Sequence, residues 1–144
     1  MIEYSIYNEV TGEIIANNFC SEIDFYNQNI SKGFKIVLGN LPYDKYYIDT
    51  SDNTPVEIPN KSNKYFYFDY STKSLKMNVG LLSLDSKEKR DLLLSNSDWT
   101  DTVSAKERLS SYSYQLWENY RQALRDVPQQ KNFPENILWP IKPE

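Results

Sequence analysis

At 144 residues the chain holds one ordinary domain or two small ones and is too short for an α/β barrel. Hydrophobic residues make up 40% and charged residues 25%, which argues for a chain that folds around a core and against wholesale disorder. With 16 Lys and Arg against 20 Asp and Glu the net charge is −4, so neither nucleic acid nor an anionic membrane is expected as a partner.

Histidine is absent, which removes the Ser-His-Asp and Cys-His nucleophile systems, the HExxH zinc site and the commonest general base. Cys20 stands alone, without a partner for a disulfide, a CxxC or a cysteine metal cluster. Gly12, Gly33, Gly39 and Gly80 are scattered and form no phosphate loop, and Asp44, Asp49 and Asp52 lack calcium-loop spacing. No apolar run approaches a membrane span, and the start MIEYSIYNEV lacks a cationic head before an apolar stretch, so no leader is expected. These absences lead us to expect a protein made in the cytosol, with no cofactor or metal and no catalytic activity.

Taken in chain order, Ile2, Tyr4 and Ile6 alternate with Glu3, Ser5 and Tyr7, the period of a half-buried strand. Gly12 supplies the positive φ of a hairpin turn, and Glu13 to Ala16 would return. Ser21 before Glu22 and Asp24 reads as an N-cap, predicting a short helix over Ser21–Asn29. Alternating runs over Phe34–Leu38, Lys45–Thr50 and Tyr65–Tyr70 predict three more strands, with Pro42, Pro55 and Pro59 in the loops between them. No internal repeat is evident. Leu84, Leu92 and Leu93 predict a helix of about three turns that stops near Ser95–Asp98. Leu109, Tyr112, Leu116, Tyr120, Ala123 and Val127 recur at helical steps and predict a second helix over Ser104–Asp126, ended by Pro128. Phe133–Pro143 carries Pro134, Pro140 and Pro143 and is expected to be extended.

Nine of the 12 Tyr and five of the six Phe precede residue 71, whereas all three Trp follow residue 80. The expected architecture is therefore α+β. A small antiparallel β-rich domain with one short helix occupies residues 1–79. A helical hairpin and an extended Pro-rich arm occupy residues 80–144.

Four groups of residues are candidates for a site. Asp69, inside Tyr-Phe-Tyr-Phe-Asp-Tyr, is the candidate for a raised carboxyl pKa, with an exposed strand or turn position as the plain alternative. Tyr65 and Tyr67, with Tyr46 and Tyr47, offer a tyrosine-rich surface or an ordinary sheet exterior. Arg121 and Arg125 lie on one helix face, where like charges repel unless something rewards them. Either a partner's carboxylate or Glu118 and the helix dipole would do so. Phe133 and Trp139 are apolar anchors on an arm that either docks on a partner or folds back on its own helices.

The stretch Arg90-Asp91-Leu92-Leu93-Leu94-Ser95-Asn96-Ser97-Asp98-Trp99-Thr100 resembles the RDxLLxxSDWT element of bacteriophage tail assembly chaperone proteins. Trp117–Pro128 is similar to a later block of that family. Phe133-Pro134 with Ile137-Leu138-Trp139-Pro140 is similar to its ending and to the Trp-Pro close of tail-fibre assembly proteins. Together these motifs cover about residues 88–143. Tyr7–Ile14 resembles the YDxxTGxI opening that often precedes this domain. The chain departs from the family over Asp101–Tyr114, which is longer than the usual linker and lacks its proline. The resemblance implies a non-enzymatic phage tail protein that binds other tail or tail-fibre proteins, as an assembly chaperone or a resident subunit. It further implies multiple copies in a symmetric assembly, located in the virion tail or in the host cytoplasm during assembly. Partner binding would fall to Arg121, Arg125, Phe133, Trp139, Tyr65 and Tyr67. The alternative is a phage tail protein that binds or hydrolyses glycans with a carboxylate pair.

Overall fold

A computed structural model describes residues 1–144 as two compact units, Met1–Met77 and Asn78–Glu144. The fold is α+β, with antiparallel strands in the first unit and helices in the second.

In the first unit, β1 (Ile2–Asn8) is the central strand of an antiparallel sheet, with β2 (Ile14–Cys20) on one side and β3 (Phe34–Leu38) on the other. Burial on β1 corrects the expected one-sided pattern. The Ile2/Tyr4/Ile6 face is covered in part by α1 (Glu22–Tyr26), whose Phe25 ring lies 5.6 Å from that of Tyr4. Tyr7, only 1% exposed, and Ser5, fully buried, are covered on the other face. With both faces of β1 covered, strict alternation of exposure is lost. Ser5 is affordable inside because its hydroxyl accepts from the Leu41 N–H and reaches the Gly39 carbonyl and Asn17 Oδ1. Helix α1 is shorter than the sequence suggests. Ser21 caps it, its Oγ accepting from the Asp24 N–H.

Two further hairpins complete this unit: β4 (Tyr46–Asp49) with β5 (Thr54–Glu57), and β6 (Phe66–Asp69) with β7 (Ser74–Met77). Pro55 lies inside β5, not in a loop. The strand has β4 on one side only, so a missing N–H is tolerated there.

The structure also corrects the reading of a chain without repeats, because one turn recurs in all three hairpins. The side-chain oxygens of Asn8, Asp49 and Asp69 accept from the backbone N–H two residues on, at Val10, Ser51 and Ser71. Four residues on, Gly12, Asn53 and Lys73 each take a positive φ, between 54° and 70°. Only the first of these positions demands glycine. Its carbonyl accepts from the Ile48 N–H at 2.8 Å, and a Cβ on Gly12 would stand 1.9 Å from the Ile48 carbonyl oxygen. This backbone-to-backbone approach ties the first hairpin to the second, and Tyr7, Ile14 and Ile48 form the core cluster around it. The Tyr7 hydroxyl donates to Asn53 Oδ1 in the second turn, and Lys73 Nζ in the third donates to the Thr11 carbonyl.

In the second unit, α2 (Val79–Asn96) starts at Asn78, whose side chain accepts from the Leu81 N–H, and is longer than expected. A short 3₁₀ turn over Asp98–Asp101 follows. The second helix expected from the sequence is in fact two, α3 (Val103–Arg108) and α4 (Ser111–Asp126). The break falls where Leu109 is extended, at ψ 145°, and Ser110 caps α4 by accepting from the Ser113 N–H. A local cap overrides an apolar period that runs on across it. Beyond Pro128 the chain forms turns up to Asn136, with a cis Phe133–Pro134 bond, and then runs without regular structure. Turns therefore replace the first part of the expected extended arm, and no strand is assigned to the rest. Trp117, Tyr120 and Leu124 form the core of this unit, with Leu93, Leu94, Leu109 and Trp139 packed against them.

Candidate functional site

The geometry of the second unit centres on the end of α2. Ser97 caps that helix, and its hydroxyl donates to the Leu94 carbonyl at 2.8 Å. From α4, Arg121 reaches the same place. One terminal nitrogen, Nη1, donates to the Leu94 carbonyl at 2.8 Å and to Ser97 Oγ at 2.7 Å. The other, Nη2, donates to Asp98 Oδ1 at 3.0 Å and to Asp101 Oδ2 at 2.8 Å. Arg121 is 6% exposed, and its Nε alone is left without a partner. A planar guanidinium can serve two carboxylates and a helix's last carbonyl together, which an ammonium cannot. Thr100, buried below, donates to the Ser97 carbonyl at 2.7 Å and holds the 3₁₀ turn that presents both aspartates.

Beside this polar clasp the rings of Trp99 and Trp117 meet edge to face at 5.2 Å, and Trp117 meets Tyr120 at 5.8 Å. Ser97-Asp98-Trp99-Thr100 on one side and Trp117, Tyr120 and Arg121 on the other are thus two halves of one helix-to-helix junction. Residues 85–144 match the family model described as phage tail assembly chaperone protein. That match spans 60 of the 144 residues, all of them within the C-terminal unit. No curated protein and no solved structure matches the chain. The residues that carry the chaperone-family resemblance, 90–100 and 117–128, are those that pin α4 to the end of α2.

The remaining residues singled out from the sequence divide between core and surface. Arg125 is exposed, its Nη2 4.0 Å from Asp101 Oδ2. Phe133 is half-buried. Trp139 packs against the Trp117/Tyr120/Leu124 cluster with Lys89 Nζ 4.3 Å from its ring centroid, while Lys142 Nζ lies 5.9 Å from that of Trp117. The segment that carries Trp139 is fastened by Gln130. The Gln130 side-chain amide donates to the Leu138 carbonyl and accepts from the Leu138 N–H, both at 2.9 Å. With Trp139 turned inward, its neighbours Leu138 and Ile141 turn outward, 77% and 92% exposed. Neither the role of Gln130 nor the pairing of Asp98 and Asp101 with Arg121 is legible along the chain, since each arises only through a tertiary contact. The one clue was the Asp98/Asp101 spacing next to a helix carrying an arginine off its apolar stripe.

In the first unit Tyr67 is exposed and Tyr65 half-buried, with Lys64 Nζ 5.1 Å from the Tyr65 ring. Asp69 is the reverse of the acid expected. Hydrogen bonds from Lys76 Nζ, first, and from the Ser71 hydroxyl, second, hold its carboxyl well below the usual carboxylate range. It serves as the anchor of the third turn and stays ionised. No cluster of three or more acidic or cysteine side chains is placed to hold a metal ion, and no helix is long and apolar enough to cross a membrane.

Proposed function

We propose that the protein acts in phage tail assembly as a non-enzymatic binding factor for other tail or tail-fibre proteins. The C-terminal segment is its docking surface. The observation that carries this reading is the pairing, within the unit that matches the chaperone family model, of a clasped Trp139 with outward Leu138 and Ile141. Apolar side chains held out on a fixed backbone lose little entropy when they are covered, which favours capture of a partner. Arg121 is spent on the fold. Arg125, at the rim, is the cation left to steer an acidic partner; Trp139 anchors the segment in the core, and half-buried Phe133 is a further contact. Tyr65 and Tyr67 offer a second contact on the other unit. Glycan hydrolysis is less well supported, since it needs one carboxyl kept protonated, and Asp69 is held ionised.

Co-expression with the phage's other tail proteins, followed by pull-down, tests the proposal. Leu138→Asp with Ile141→Asp should abolish co-purification and leave the melting temperature unchanged. Full binding by that variant would overturn the assignment of the surface. Mass spectrometry of purified virions then separates a resident subunit, present in stoichiometric amount, from a chaperone that leaves.

A further inference from the structure

The three-stranded sheet of the first unit has two edges of opposite character. On β2 the edge is interrupted: the register slips between Ile6 and Tyr7, leaving Ile15 as a bulge, and Asn17 and Asn18 follow. Bulges and polar residues are how sheets protect an edge from further pairing. On β3 the edge is regular and four of its five residues are apolar: Phe34, Ile36, Val37 and Leu38, with Lys35 the exception.

The hydrogen-bond phase of β3 shows which groups are free. The Gly39 N–H donates to the Glu3 carbonyl at 2.9 Å, and the Glu9 N–H donates to the Gly33 carbonyl at 3.0 Å. In an antiparallel ladder, alternate residues bond to the same neighbour, so Gly33, Lys35, Val37 and Gly39 face β1. Phe34, Ile36 and Leu38 therefore present their backbone groups to the open side. Of these, only the Phe34 N–H has a local acceptor, the Ser31 carbonyl at 3.2 Å.

We propose that β3 pairs antiparallel with β3 of a second copy, about a twofold axis through Ile36. This goes beyond the binding of other tail proteins and is independent of it. Ile36 in the two copies would exchange N–H and carbonyl, and each Leu38 N–H would donate to the Phe34 carbonyl opposite. The three side chains on that face then match: Ile36 meets Ile36, and Phe34 meets Leu38, which is now 64% exposed. Charges are also compatible, because Lys35 falls opposite Val37 and Lys32 opposite Asn40, so no like charges meet. The result is one continuous sheet in the order β2-β1-β3-β3-β1-β2, with the bulged β2 edges outermost. Five residues of edge bury well under the roughly 1,600 Å² of a standard interface, so the pairing is concentration-dependent and suits copies held close together.

The test is sedimentation of the full chain from micromolar to millimolar concentration, with the mass expected to rise from 17.0 kDa towards twice that value. A single-chain mass throughout would overturn the proposal. Leu38→Lys, at an exposed side chain, should abolish the rise at an unchanged melting temperature; dimers that persist would place the interface elsewhere. In a Cys20→Ser background, Ile36→Cys should give an oxidised dimer, because twofold-related Cα atoms about 5.5 Å apart suit a disulfide. Val37→Cys, which faces Lys35 on the other side of the sheet, should not. Equal cross-linking of the two would overturn the register.

Discussion

Arg121 Nη1 lies 2.7 Å from Ser97 Oγ, so an arginine in the middle of α4 completes the cap of α2. The same nitrogen takes the Leu94 carbonyl, and the other terminal nitrogen takes two aspartates from the turn that follows. One buried side chain thus sets the end of one helix, the shape of the next turn and the position of a third element.

Arg121→Ala should destabilise the protein by about 2 kcal/mol, because it removes four hydrogen bonds made by a buried side chain and leaves Asp98 and Asp101 without their shared cation. Arg121→Lys should recover only a minor part, since a lysine cannot reach both sides. Urea denaturation of the two variants beside the parent measures this. Full rescue by lysine would show that charge alone matters.

Trp117→Ala should cost about 3–5 kcal/mol, the usual loss for a large ring in a packed core. Trp99, 49% exposed, covers only one side of that ring, and Trp99→Ala should cost about 1 kcal/mol. Equal losses would mean that the ring pair is a single unit despite its unequal burial.

Gly12→Ala should cost about 2 kcal/mol or more, through its positive φ and the collision of its Cβ with the Ile48 carbonyl oxygen. Gly33→Ala, also at positive φ but in open space, should cost less. Thermal melts of the two variants read the difference, which isolates the contact between hairpins from backbone strain.

Asp69 and Lys76 give stability a defined pH window. The carboxyl is pulled below its ordinary value and the same contact pushes the ammonium up. Unfolded, these groups titrate near about 3.9 and about 10.4. The carboxylate's contribution is complete above about pH 4 and is lost as pH falls through its lower folded value. The lysine's contribution is complete below about pH 10 and is lost as pH rises through its higher folded value. Asp69→Asn should therefore melt below the parent at neutral pH, with a gap that narrows in acid. A gap that stays constant down to about pH 3 would mean that the side chain acts only by shaping the turn.

Sequence periodicity is informative where one face of a strand or helix decides its place. Phe34–Leu38, Tyr46–Asp49 and Phe66–Asp69 are strands for the reason their alternation suggests. The return strands Thr54–Glu57 and Ser74–Met77 are hidden, the first behind Pro55 and the second behind a mixed, short segment. The repeat is hidden because its positive-φ position is filled by glycine, asparagine and lysine in turn. Only the leading Asn or Asp, which sets the turn, stays chemically alike. The two arginines were visible as an anomaly, but what answers Arg121 lies in another helix's cap, beyond the reach of spacing along α4.

The shared turn makes folding of the first unit a matching problem. β4 reads Tyr-Tyr-Ile-Asp and β6 reads Phe-Tyr-Phe-Asp, and each faces a return strand of the same length, so exchange of partners costs little in local geometry. Proximity along the chain settles the choice, since a strand one turn away is met long before a distant one. Pro55 marks one return strand by its missing donor. Because each turn closes on its own side chains, a hairpin can form before the contacts of Gly12 with Ile48 and of Lys73 with Thr11 join it to its neighbours.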